Sequence, residues 1–180
     1  MPAWPNLVLL GLRLAPAAEP AIEELQVTVD GSQVLASFHL ANGLDPETRE
    51  RIDSGLPTSF IYELELKRDR KHWWDRGLDA TILEVVAMYN AVTREYLVNT
   101  KQGGRLIESR TVRDAEELER AMTVFESFPA FTLDADPDGS RFLVRMRVDL
   151  GSGALLGFIP YQRSTGWIES NKVRLRVPEP

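Results

Sequence analysis

The chain has 180 residues, 43% of them hydrophobic and 27% charged, and a formal net charge of −6. That length suits one domain with a sizeable core, and the acidic balance argues against general nucleic-acid binding, which ordinarily needs a basic domain. The absence of cysteine excludes disulfides, thiolate metal sites and cysteine nucleophiles, and no apolar run approaches the roughly 20 residues of a transmembrane span.

Residues 1–20 carry a mostly apolar run, Leu7 to Leu14, followed by Ala15-Pro16-Ala17, which has the small-x-small form of a signal-peptidase site. Against a leader stand the lack of Lys or Arg in Met1 to Asn6, two prolines there, and Arg13 inside the apolar stretch. Two readings stay open: a flexible or loosely docked arm, and a degenerate or truncated signal peptide. Residues 21–180 are expected to form a single domain.

Ala21 to Val29 and Gln33 to Leu40 read as strands joined by Asp30-Gly31, a dipeptide that tolerates the positive φ of a tight hairpin turn. Asp45-Pro46 starts a short helix, with the aspartate as cap and proline at the first helical position. Gly55 ends it. Ile52 is almost its only apolar residue, so this helix is expected on the surface and outside the core.

Leu56 to Asp75 is the most distinctive stretch. Phe60, Tyr62, Leu64 and Leu66 alternate with Glu63, Glu65 and Lys67, the period of a strand with one wet face. Alternation then gives way to Lys67-Arg68-Asp69-Arg70-Lys71, closed by His72-Trp73-Trp74-Asp75. Ala80 to Tyr89 and Thr93 to Thr100 read as an antiparallel pair. Ile82, Leu83, Val85, Val86 and Met88 are dense enough to predict cover on both faces of the first.

Lys101 to Gly104 is a turn into a strand from Arg105 to Val112. Asp114 with Glu117 begins a helix of the capping-box kind, with a stripe of Ala115, Leu118, Ala121, Met122 and Phe125 facing a sheet. Arg141 to Leu150 is two-faced, Gly151 to Gly157 reads as loop, and Lys172 to Val177 closes the chain. Seven to nine strands and two short helices, mostly linked by tight turns, predict a mainly β fold: an antiparallel β-sandwich.

Enzyme signatures fail one by one. His39 and His72 are the only histidines, too few for a histidine-rich zinc site. No nucleophile elbow and no phosphate-cradling Gly-rich loop with lysine occurs. Gly151, Gly153 and Gly157 come near the dinucleotide fingerprint, but Pro160 forbids the helix that must follow. Glu63 and Glu65 share a strand face and are read as solvating it and meeting Arg or Lys across the ladder. Asp134, Asp136, Asp138 and Gly139 match the first half of a calcium loop, yet Arg145 stands where the bidentate glutamate belongs. The run is read as a turn, with Pro137 and Gly139 setting its backbone. No metal or cofactor is therefore expected.

His72-Trp73-Trp74 admits three readings: packing at a sandwich end, a protein-docking anchor, and a sugar-stacking or membrane-interface patch. Should the strands bearing Arg141, Arg145 and Arg147 and Lys172, Arg174 and Arg176 be neighbours, they form a basic face on an acidic protein. The alternative is an edge defended by charge against strand addition.

Three blocks carry a resemblance: Gly55-Leu-Pro-Thr-Ser-Phe-Ile-Tyr-Glu-Leu-Glu-Leu, then Arg68-x-Arg70-x-x-Trp73-Trp74-Asp75, then Tyr89-x-x-x-Thr93-Arg-Glu-Tyr96. In order and spacing they resemble the bacterial domain of unknown function numbered 4390, over a span from about Ile22 to the last strand. The resemblance implies a small, usually exported bacterial protein without an assigned catalytic residue or reaction. The expected function is a non-enzymatic binding or protein-interaction module of the cell envelope, periplasmic, with Arg68, Arg70, His72, Trp73 and Trp74 contacting a protein partner. A lipid- or glycan-binding sandwich is the alternative, and an enzyme of unknown reaction stands third.

Overall fold

The computed structural model describes residues 18–69, 77–133, 141–155 and 159–174. Its strands are β1 (Ala21–Asp30), β2 (Gln33–Ala41), β3 (Thr58–Asp69), β4 (Gly77–Asn90), β5 (Glu95–Gln102), β6 (Arg105–Val112), β7 (Val124–Thr132), β8 (Arg141–Leu155), β9 (Ile159–Ser164), β10 (Ile168–Glu169) and β11 (Val173–Arg174), with helices α1 (Pro46–Asp53) and α2 (Ala115–Thr123). All pairings are antiparallel. A small sheet runs β1-β2-β7, and a large one runs β10-β8-β3-β4-β5-β6, with β9 and β11 also on β8. The mainly β sandwich read from the sequence is the fold observed.

Alternation decides which side of each strand is dry. Val34, Ala36, Phe38 and Leu40 of β2 and Phe60, Tyr62, Leu64 and Leu66 of β3 are all buried, and they meet between the sheets in one core. Burial of such side chains stabilises a fold by about 1.5–3 kcal/mol each. Phe38, Tyr62 and Phe125 form a ring cluster there, with centroids 4.8–5.3 Å apart. The Tyr62 hydroxyl donates to the Met122 carbonyl at 2.5 Å, which joins the central strand to the end of α2.

Turn chemistry works as expected at two hairpins. Gly31 (φ +57°) sits in the turn between Asp30 and Gln33, and Gly103 and Gly104 (φ +55° and +80°) turn β5 into β6. Asp45 and Asp114 cap the two helices, accepting from the N–H groups of Thr48 and Glu117.

Five sequence expectations need correction. Ile52 is wholly buried and belongs to the core, so α1 is pinned by its one large apolar residue. The second helix stops at Thr123, and Phe125 lies in β7, a strand hidden by the Phe-Pro and Ser-Phe irregularities of that segment. β4 is dry on one face only: Leu83, Val85 and Ala87 are buried, whereas Ile82 is 51% exposed. Gly151 to Leu155 is strand and no loop, because β8 passes through a bulge at Gly151 (φ +80°) and continues against β9. Among the described residues the strands number eleven, since the short pieces β9, β10 and β11 have too few residues to show a period.

Candidate functional site

The free side of β8 is filled by a single run of chain. β9 pairs with Asp149–Leu155, β10 with Arg145–Met146, and β11 with Arg141–Phe142. At the two gaps between these pieces a hydroxyl completes the ladder. Thr165 donates its N–H to the Val148 carbonyl while its Oγ1 accepts from Val148 N–H at 3.0 Å. Ser170 repeats the arrangement at Val144, with Oγ accepting at 3.0 Å. Because the side chain supplies the acceptor, the backbone is released to swing away without leaving a β8 donor unpaired.

Each excursion delivers one side chain to a distant place. After Thr165 the chain carries Trp167 over the outer face, 4.3 Å from the Arg145 guanidinium and 4.9 Å from that of Arg147. After Ser170 it carries Asn171 to the other sheet, where its amide bonds Val27. A third anchor precedes both: Arg163 meets the Asp45 carboxylate at 3.0 Å and the Thr48 hydroxyl at 2.9 Å, tying β9 to the cap of α1.

Beneath Trp167 the outer face is a charge-balanced comb. Glu63 and Glu65 stand directly opposite Arg147 and Arg145 in the β3–β8 register. Arg147 donates from Nε and Nη2 to both Glu63 oxygens at 2.8–3.0 Å, and Arg145 donates to Glu65 at 2.7 Å. That hydrogen bond is the main reason the Glu65 carboxyl is held below its usual range, with the positive charges of Arg145, Lys67 and Arg147 adding to it. Arg145 is pushed up in turn, chiefly by the same bond. Both carboxylates are thus occupied acceptors, as the ladder reading anticipated, and each guanidinium is sandwiched between carboxylate and indole.

Balance changes at the end of the sheet. The last β8–β11 row sets Arg141 opposite Arg174, with Asp69 on the other side of Arg141. Arg68 shares the inward side with Leu66, and its guanidinium lies 5.7 Å from the ring of buried Phe142. The basic strands are therefore neighbours, but among the described residues only this end row sets two arginines opposite each other, since Glu63 and Glu65 offset the arginines further along.

Of the five residues singled out from the sequence, Arg68 is placed at this end. Arg70, His72, Trp73 and Trp74 lie outside the described residues, as does the Asp134, Asp136 and Asp138 turn. Among the described residues no group of three or more His, Asp or Glu side chains could hold a metal ion. Trp167 escaped the sequence reading. Its only local signal is a lone indole between Gly166 and Ile168, and nothing nearby says that it will cover arginines 20 positions earlier.

The family model described as Domain of unknown function (DUF4390) matches residues 17–155. The chain belongs to that family. The DUF4390 match ends with β8, so β9, β10 and β11, with Arg163, Trp167 and Asn171, lie beyond it, short of the span to the last strand that the resemblance suggested. No curated protein and no solved structure matches the chain.

Proposed function

We propose that this DUF4390 protein is a non-enzymatic interaction module of the bacterial cell envelope, periplasmic, which docks a protein partner at the end of the sandwich where β3 and β11 finish and β8 begins. The observation that carries the reading is the change in charge along one face. Two outer-face rows pair arginine with glutamate, whereas the terminal row sets Arg141 between Arg174 and Asp69, with Arg68 on the opposite, inward side of the same strand end. Cations gathered at one end of an acidic protein serve binding better than folding, because like charges opposite each other in a ladder are destabilising. In sequence β3 is followed by Arg70, His72, Trp73 and Trp74, and arginine and tryptophan are types that dominate interface hot spots. The engaged state of Glu63 and Glu65 supports a role without acid–base chemistry. For the envelope location the support is the apolar segment before Ala15-Pro16-Ala17 and what membership of the family implies.

The test has two parts. Made in its own host, the protein is expected to begin near Ala18 or Glu19 and to fractionate with the periplasm; intact Met1 on cytoplasmic protein would overturn the location. Arg70→Ala combined with Trp73→Ala or Trp74→Ala is expected to keep stability within roughly 1 kcal/mol while abolishing cross-linking to the partner captured by the wild type. A variant that unfolds instead assigns the cluster to packing.

A further inference from the structure

The open side of the sandwich, between β1 and β11, holds a groove of about 380 Å³ lined by Val27, Thr28, Val29, Gly31, Val173 and Arg174. We propose that this groove receives an extended peptide carrying a carboxylate, which adds as a strand to the β1 edge and places its charge on Arg174. The inference deepens the interaction-module reading but stands on residues apart from the Arg70–Trp74 stretch.

The first argument is the hydrogen-bonding edge. Asp30 faces Gln33 across a two-residue turn, so Asp30 and Thr28 point their backbone groups at β2, while Val29 and Val27 point theirs away. The Asn171 bonds confirm the phase: Val27 N–H donates to Oδ1 at 2.7 Å, and Nδ2 donates to the Val27 carbonyl at 2.9 Å. Two residues on, the same groups of Val29 face the groove with no partner among the described residues.

The remainder of the β1 edge is guarded. A bulge between Glu23 and Gln26, with Glu24 at φ +57°, interrupts its first half, a usual defence against strand addition. Asn171 occupies Val27. Among the described residues, nothing pairs on this edge with the stretch from Val29 to Gly31, and it is the stretch that the groove adjoins.

The second argument is chemical fit. The groove's volume lies at the small end of the usual range for ligand sites, about 300–1,000 Å³, which suits a few residues of a peptide. Val27, Val29 and Val173 give it apolar walls. Arg174 is exposed at its lip and has no acidic partner among the described residues. An acyl chain would satisfy the valines and Arg174 but would strip water from the Val29 N–H and carbonyl without replacing it, a costly omission. An extended peptide satisfies all three features, as in other strand-addition complexes.

The experiment is a selection of random octapeptides with free C-terminal carboxylates on the full chain, followed by NMR mapping of the enriched peptides. Apolar residues are expected at alternate positions beside an acidic residue or the terminal carboxylate. Such peptides should shift the Val27, Val29 and Val173 amides and slow Val29 amide exchange at least tenfold. Val29→Pro, which removes one donor, and Arg174→Glu should each weaken binding at least tenfold while near-unchanged spectra elsewhere show that both variants fold. Equal enrichment on Val29→Pro and wild type overturns the proposal. So do peptides that perturb only the Lys67–Arg68 end, a result that would leave the interaction-module reading standing. Dodecanoate is the lipid arm: if it displaces the peptides and moves the valines without protecting Val29, the groove is an acyl site and strand addition is wrong.

Discussion

Asn171 makes with Val27 both hydrogen bonds that a neighbouring strand would make, accepting from its N–H at 2.7 Å and donating to its carbonyl at 2.9 Å. One side-chain amide thereby joins the two sheets on a side where no strand among the described residues does. Removing it should leave two partly buried backbone groups unsatisfied. Asn171→Ala is therefore expected to destabilise the fold by about 1–3 kcal/mol, read from the denaturation midpoint. Asn171→Asp keeps the acceptor but sets a carboxylate against the Val27 carbonyl, so it should not rescue at neutral pH. A neutral Asn171→Ala would show that water replaces the amide there.

The Glu65–Arg145 pair gives a pH dependence with a definite sign. The Glu65 carboxyl is held below its usual range in the folded protein, first by the Arg145 hydrogen bond. Its contribution is accordingly complete above the unfolded value, about 4.3, and is lost as pH falls through the lower folded value. Denaturation series on wild type and Glu65→Gln should diverge above pH about 4 and converge in stronger acid. The difference should be small, at most about 1 kcal/mol, because both side chains are partly exposed. A constant gap down to pH 2 would assign the effect to packing.

Trp167 lies over two guanidiniums that are already paired. Contacts of this kind contribute about 0.5–1 kcal/mol at exposed sites. A double-mutant cycle of Trp167→Ala with Arg147→Lys should return a coupling of that size, since lysine keeps the charge but loses the planar stacking surface. Strict additivity would mean that the indole only covers aliphatic stems.

Two tyrosines should separate in an alkaline titration. Burial, with the 2.7 Å bond to the Asp53 carboxylate next, pushes the Tyr96 phenol up to about 12. Wholly buried Tyr62 is raised further, by burial alone. For both, stability is fully present below the unfolded value near 10 and declines as pH rises through the folded one. Phenolate absorbance of Tyr96→Phe should lack the step near 12, and Tyr62 should ionise only on unfolding. Tyr62→Phe leaves the Met122 carbonyl without its donor and should cost about 1–3 kcal/mol; an early step from Tyr62 would mean that water reaches the core.

Much of this protein was legible in its sequence. Period-2 alternation in Val34 to Leu40 and Phe60 to Leu66 states which side is dry, because side chains on a strand must alternate and water accepts only one set. Asp45, Asp114, Gly31 and Gly103–Gly104 mark caps and turns, where the chemistry is local. The Glu63 and Glu65 row announces a partner row of opposite charge. Which cations answer was decided by tertiary structure, through a β3–β8 register linking residues 80 and 84 positions apart. The same holds for β9, β10 and β11: two-residue strands have no period, and they exist only because Thr165 and Ser170 complete a ladder that β8 offers. Trp167 and Asn171 owe their roles to those interruptions. Contacts made by alternation or by neighbours in the chain can be read along it, whereas contacts made where a backbone leaves its ladder depend on what the fold has brought alongside.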